Sequence, residues 1–163
     1  MTVIKHFCDW LAATALSQLF QDLKWFVPMV QTIHILSVAL VLTSMGLLDA
    51  KLLGFSRQAP SLDSLASTFM PWIWRALGIL LTTGTLLTIT EPSRELLNSA
   101  FRAKMLMVAT MAALLRMVQL RLQRDTSYWE RSPQRRMAAR AVGACGLCLA
   151  AGIIVAGRWI AYI

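Results

Sequence analysis

Long apolar runs alternate with short polar stretches along the chain. Four runs, at 27–48, 71–90, 101–120 and 137–156, are almost free of charge. A helix needs about 20 residues to cross a hydrocarbon core about 30 Å thick, so each run is long enough to span a membrane. Lys104 and Arg116 lie near the ends of the third run, where long side chains reach the headgroups. The pattern predicts an all-α integral membrane four-helix bundle that forms one domain over 1–163.

The segment before the first run has a different pattern. Over 2–24, apolar residues recur at helical spacing while polar residues occupy the other side. This predicts one amphipathic interfacial helix, with a surface float, a lid and a docking surface as alternative roles. Asp9 interrupts the apolar stretch that a cleaved signal peptide requires, so we expect the segment to be retained.

Composition supports a membrane protein. Apolar residues make up 57% of the chain and charged residues 15%, whereas a soluble domain averages about 25% charge. The high apolar content excludes intrinsic disorder, and three cysteines do not form a disulfide framework.

Positive charge predicts the orientation in the membrane. The connection between the third and fourth runs contains Arg121, Arg124, Arg131, Arg135, Arg136 and Arg140. Arginine-rich loops stay in the cytoplasm, so this loop and the one with Lys51 and Arg57 should lie there, with both termini periplasmic. We expect an interfacial anchor formed by Arg158, Trp159 and Tyr162. The net charge of +8 reflects this distribution, and no nucleic-acid partner is predicted because no soluble domain carries a basic face.

Small residues repeat every four positions in the fourth run, at Ala144, Cys148, Gly152 and Ala156. Such a ridge lets another helix approach closely, so we predict a helix-packing surface. Cys145 and Cys148 also have the spacing of a redox pair. No basic neighbour favours a thiolate there, so we interpret both as packing residues.

Polar residues near the predicted periplasmic side form one candidate site. Gln31 and His34 are separated by about one turn, and Glu91, Arg94 and Lys104 are expected on the same side of the membrane. Ionisable groups within a membrane are costly and face the bundle interior, so these five residues are candidates for a ligand or quinone pocket. The alternative is a neutral His34 that bonds to a carbonyl or threonine of a neighbouring helix.

A second set of polar residues lies toward the predicted cytoplasmic side. Asp49, Lys51, Arg75 and Gln119 are expected to form a structural polar cluster, with Asp49 paired to Arg75 or Lys51. No residues here have a spacing that indicates a catalytic or metal site.

Several short motifs occur in a fixed order between residues 8 and about 120: W-F-V-P-M-V-Q-T-I-H at 25–34, L-D-A-K-L-L-G at 48–54 and E-P-S-R at 91–94. In combination they resemble a family of small four-span bacterial inner-membrane proteins, loosely similar to b-type cytochrome bundles. The resemblance implies a four-helix domain in a bacterial cytoplasmic membrane and no established activity. The family often has arginine where this chain has Lys51, and a histidine near the third span where it has Gln119.

Haem b normally requires two axial ligands, and the other histidine, His6, is roughly 30 Å from the first span if the segment is helical. A symmetric dimer that uses His34 twice, or a methionine as the second ligand, is the alternative route to haem. One histidine with scattered methionines falls short of a soft-metal site, so no cofactor or metal is predicted. The expected function is a non-catalytic membrane subunit or scaffold of a bacterial inner-membrane assembly, which contacts the lipid bilayer and docks a membrane protein partner or a second copy. The alternative is a small redox module that binds quinone or haem b near the periplasmic face through His34.

Overall fold

The computed structural model describes residues 2–55, 60–129 and 131–159, so Arg57 and Tyr162 lie outside the described residues. Over these ranges the chain is all-helical, as the sequence predicts. In chain order the helices are α1 (Thr2–Ala12), α2 (Ala15–Asp22), α3 (Phe26–Leu53), α4 (Leu62–Thr90), α5 (Pro92–Leu96), α6 (Ser99–Arg124) and α7 (Pro133–Trp159).

Helices α3, α4, α6 and α7 contain 28, 29, 26 and 27 residues and are each long and apolar enough to cross a membrane. They are longer than the apolar runs because capping residues, and not hydropathy, determine where a helix begins. The Ser61 side chain accepts a hydrogen bond from the Ser64 amide and starts α4 nine residues before Pro71. At the far end of α3, Gly54 takes a left-handed conformation with φ of 85° and stops the helix.

The four long helices pack in the spatial order α4, α3, α7, α6, and α4 and α6 approach each other at few positions. The apolar core is concentrated toward one end of the bundle, with Met45, Ile73, Leu115 and Ala150 among its buried residues. We call this the arginine end, because the connection from α6 to α7 is located there. The opposite end, which includes α5, is called the α5 end.

The N-terminal segment forms two helices, so the prediction of one helix over 2–24 is wrong. Thr14 causes the break, because its hydroxyl donates to the Leu11 carbonyl at 2.7 Å and accepts from the Ser17 amide at 3.4 Å. These bonds end α1 and begin α2. Helix α1 packs mainly against α5, and α2 packs against α4 and α3.

Candidate functional site

Polar side chains of α2 cap the end of α4. Ser17 Oγ donates to the Ile89 carbonyl at 2.8 Å, and Gln21 Nε2 donates to the Thr90 carbonyl at 2.8 Å. The last carbonyls of a helix have no donor within the helix, so these bonds satisfy groups that would otherwise be unpaired. The cap attaches the N-terminal segment to the bundle. It was missed from the sequence, where its only signal is a serine and a glutamine four residues apart.

The N-terminal segment also has one buried contact and a set of large exposed apolar side chains. Cys8 on α1 is fully buried, and its thiol lies 3.6 Å from the Pro92 carbonyl. The other side of α1 and α2 exposes Val3, Ile4, Phe7, Trp10, Leu16 and Leu19. Large exposed apolar side chains on docked helices at one end of a membrane bundle are typical of contact with the lipid interface.

An open groove of about 610 Å³, lined by both polar and apolar residues, lies between the N-terminal segment and the turn from α4 to α5. Gln21, Lys24, Glu91 and Arg94 contribute side chains to it. Arg94 donates to Glu91 at 2.7 Å, and this hydrogen bond raises the pKa of the guanidinium. Both side chains are about half exposed, at 52% and 54%, so water screens the pair and it contributes little stability.

Glu95 connects this groove to α6 electrostatically. Burial raises the pKa of its carboxyl, while Lys104 and Arg94 act in the opposite direction. Lys104 on α6 therefore interacts electrostatically with two groups, the Glu95 carboxyl and the His34 ring.

His34 is held by a neighbouring helix. Its Nδ1 lies 2.7 Å from Thr83 Oγ1, and the Thr83 hydroxyl is also 2.8 Å from the Ile79 carbonyl. Because a hydroxyl has one proton and a carbonyl only accepts, we assign the Thr83 proton to Ile79 and the Nδ1 proton to His34. This leaves Nε2 as the unprotonated ring nitrogen. Gly84 of α4 faces the ring, and a Cβ there would make an ordinary van der Waals contact with Cε1 at 3.6 Å.

The structure brings together only part of the pocket predicted from the sequence. His34 and Lys104 share the interior of the α5 end, and Glu91 and Arg94 form their own ion pair in the groove. Gln31 is exposed on the bundle surface. The bond from His34 to a threonine of another helix matches the alternative interpretation. Thr83 itself was missed, although it belongs to a threonine-rich stretch of α4.

Comparisons with protein families, with characterised proteins and with solved structures find no match to this chain.

Among the described residues, the side chains do not assemble a metal or haem ligand set. No group of three or more His, Cys, Asp or Glu side chains converges in this part of the chain. His6 is exposed on α1, which packs against α5 and not against α3. Of the two histidines, only His34 faces the bundle interior, so a pair of histidine ligands does not fit this arrangement.

The predicted polar cluster toward the arginine end does not form, and the ion pair of Asp49 with Arg75 is wrong. The Arg75 guanidinium lies 5.2 Å from the centre of the Trp72 ring. Gln119 Oε1 accepts from Trp74 Nε1 at 3.0 Å, a bond that joins α6 to α4. The Asp49 side chain lies instead against the glycines of α7. Lys51 is two residues further along α3, and helix periodicity places it on a different face. The sequence could not show this separation because it depends on which helices are neighbours.

Asp49 is buried against glycines of α7, with 6% of its surface exposed. A Cβ on Gly146 would lie 2.6 Å from Oδ2, and a Cβ on Gly143 would lie 3.0 Å from the Asp49 carbonyl oxygen. We call this recess of Gly143 and Gly146 the glycine notch. Within the described residues, Asp49 Oδ2 has no hydrogen-bond partner.

The predicted small-residue ridge of α7 divides between two environments. Gly152 faces α6, where its Cβ would lie 2.8 Å from Met107 Sδ, and Ala156 is half-buried. Ala144 and Cys148 are instead exposed on the bundle surface. They belong to a continuous exposed strip, which we call the α7 stripe: Ala141, Ala144, Cys145, Cys148 and Ala151.

Arginines and aromatic residues form the surface of the arginine end. The guanidinium groups of Arg135 and Arg121 lie 4.4 Å and 5.1 Å from the centre of the Tyr128 ring. A second open groove, of about 440 Å³, is lined by Arg131, Ser132, Pro133, Arg136, Met137 and Arg140. This end therefore presents an ordered, strongly basic surface next to the bundle.

Proposed function

We propose that this chain is a non-catalytic membrane subunit or scaffold of a bacterial inner-membrane assembly, which binds a transmembrane helix of a partner protein. The α7 stripe is the observation that supports the proposal. It consists of alanine and cysteine and is exposed, although the same helix uses its glycines to contact α3. Helix α7 is thus packed on one side and has a second small-residue face available.

Small residues on the outside of a membrane bundle favour helix association. Lipid tails are as apolar as leucine, so helices associate through close packing, which small side chains permit. Several outward positions of the other long helices carry large side chains, with Leu36, Leu81 and Leu106 exposed at 64%, 72% and 71%. The α7 stripe therefore has the shape of a helix contact and differs from these positions.

The proposal includes an orientation. We propose that the arginine end lies in the cytoplasm, with both chain termini in the periplasm, because cytoplasmic loops retain excess arginine. The basic surface around Tyr128 would then offer the partner a contact outside the membrane. A reporter fused after the last residue is expected to be active only in the periplasm, and cytoplasmic activity would contradict the orientation.

Site-specific photo-crosslinking in native membranes tests the partner contact. A photoreactive residue at Ala144 should give one discrete protein adduct, and the matched position Leu106 on α6 should give none. Ala144→Leu should abolish an adduct formed from a neighbouring position of the stripe, because the larger side chain holds the partner away. Equal adducts from Ala144 and Leu106, or none at all, would refute the contact.

The two exposed cysteines distinguish a second copy from a different protein. Cys145 and Cys148 both belong to the α7 stripe, so mild oxidation should join two copies if they associate through this face. A disulfide-linked dimer that disappears in the double serine variant would identify the partner as a second copy. A photo-adduct without such a dimer would identify a different membrane protein.

The geometry of His34 supports a second candidate function, a quinone site. Its unprotonated Nε2 can accept a hydrogen bond, and Lys104 is a cation in the same interior region. Nε2 suits a hydroxyl of the reduced quinol and Lys104 suits a carbonyl oxygen of the quinone, whereas haem b lacks a second histidine ligand here. Quinone extracted from the purified protein should fall in His34→Ala. Equal quinone in both preparations would refute this candidate, and a visible haem band lost in His34→Ala would favour haem instead.

A further inference from the structure

Asp49 is an acidic side chain buried in one of the membrane-spanning helices. It lies in α3, near the arginine end, with 6% of its surface exposed. Both carboxyl oxygens lie against the glycine notch, within 2.8 Å of the position that a Gly146 Cβ would occupy. Oδ2 has no hydrogen-bond partner among the described residues. The proposed partner contact does not use this group, since it faces the opposite side of α7 from the α7 stripe.

The charged groups on the surrounding helices do not neutralise it. On α7, Arg140 is one turn from Gly143, but it is exposed and lines the basic groove. On α4, Arg75 lies over Trp72, and on α3 Lys51 follows at a position on another side of the helix. The ion pairs found within the described residues, Glu91–Arg94 and Asp125–Arg131, do not include Asp49.

An ionised carboxylate in this place would be costly. Removing an unpaired charge from water costs several kcal/mol even after a protein relaxes, and a buried group avoids that cost by becoming neutral. A protonated carboxyl also needs less solvation, which suits a recess formed by glycine backbone. Ionisable residues retained inside membrane bundles commonly mark proton or ion pathways.

We propose that Asp49 is a proton-binding site: its carboxyl is a neutral acid at neutral pH, seated in the glycine notch between α3 and α7. Proton release leaves a carboxylate and transfers the proton to water, and the route to water leads toward the arginine end. The ligand of this site is therefore a proton. The proposal is independent of the partner contact and of the quinone candidate.

Infrared spectroscopy of the full chain in lipid nanodiscs tests the protonation state directly. At neutral pH, wild type minus Asp49→Asn should show the carbonyl stretch of a protonated carboxylic acid, which shifts in heavy water. Asp22→Asn is the matched control, because Asp22 is exposed on α2, and its difference spectrum should lack this band. Absence of the band from the Asp49→Asn difference spectrum of folded proteins would overturn the proposal.

Chemical labelling gives an independent test on the wild-type chain, which does not depend on how the variant folds. A lipid-soluble carbodiimide adds a protonated carboxyl across its N=C bond, and the adduct rearranges to a stable N-acylurea without a leaving group. Peptide mass spectrometry should locate the adduct on Asp49 and not on Asp22, with labelling that decreases as pH rises. No adduct on Asp49 at neutral or acidic pH, or equal labelling at every pH, would overturn the proposal.

Discussion

The glycine notch predicts that one added methyl group at Gly146 is more damaging than the same change elsewhere. A Cβ at Gly146 would lie 2.6, 2.8 and 2.9 Å from Oδ2, Oδ1 and Cγ of Asp49. Ordinary carbon–oxygen contacts are longer, so either Asp49 or the α7 backbone must move. Overpacking of this kind costs typically about 1–3 kcal/mol. Gly146→Ala should therefore weaken the contact between α3 and α7.

Gly78→Ala is the matched control for this prediction. Gly78 lies inside α4, and a Cβ there would meet nothing within 4 Å. Both substitutions gain up to about 1 kcal/mol of helix propensity, and this gain cancels when the two variants are compared. The remaining difference in the free energy of unfolding is the cost of the clash at Gly146, about 1–3 kcal/mol. For a chain of this size, that difference corresponds to a gap in Tm of roughly 2–12 °C.

Thermal unfolding in detergent, followed by circular dichroism, provides the measurement. Gly146→Ala should unfold at a lower temperature than Gly78→Ala, and adding Asp49→Ala should reduce the cost because it removes the obstructing atoms. Interaction energies between neighbours appear as this type of non-additivity. If Gly146→Ala is as stable as Gly78→Ala, the glycine notch does not hold Asp49 and the reasoning fails.

Three further predictions concern the α5 end. Gln21→Ala removes the hydrogen bond to the Thr90 carbonyl. The amides of α2 should then exchange faster with solvent, while those of α4 keep most of their protection. Unchanged exchange in α2 would contradict the cap. Thr83→Val should lower the free energy of unfolding in detergent by about 1 kcal/mol, because His34 loses its hydrogen-bond partner. His34→Ala should then destabilise the Thr83→Val variant less than it destabilises the wild type. Burial raises the pKa of Glu95, so the folded state keeps this proton where the unfolded chain has lost it. The resulting stabilisation is complete below the ordinary glutamate pKa and is lost as pH rises through the folded pKa. Glu95→Gln should flatten that part of the stability–pH curve, and an unchanged slope would exclude Glu95 as its source.

The long helices could be predicted from the sequence, because an apolar run of membrane length has few alternative structures. The break in the N-terminal segment could not, since amphipathic spacing continues through it and only the two bonds of Thr14 interrupt the helix. Hydropathy also placed the start of α4 too late, because it measures lipid burial and does not detect the Ser61 cap.

The candidate sites were predicted less well than the helices, because they depend on which helices are neighbours. Asp49 and Arg75 both belong to the same half of the bundle, but they have different neighbours. The Asp49 carboxyl lies against α7, whereas the Arg75 guanidinium lies over the Trp72 ring. Thr83 was missed for a similar reason. Its hydroxyl bonds back to its own helix, as many helical threonines do, and only the packing of α3 against α4 shows that it also contacts His34. The small-residue ridge of α7 was predicted as one surface, whereas helix geometry directs Gly152 toward α6 and leaves Ala144 exposed.

The position of α7 between α3 and α6 has a consequence for biogenesis. Ribosomes make α3 and α4 before α6 and α7, so the first two of these helices can pair as a hairpin while the other two are still being translated. Helix α6 then emerges with few contacts to α4, and it acquires its main neighbour only when α7 leaves the translocon. Helix α7 thus completes the interior of the four-helix bundle. Chains truncated before it should become substrates for membrane quality-control proteases.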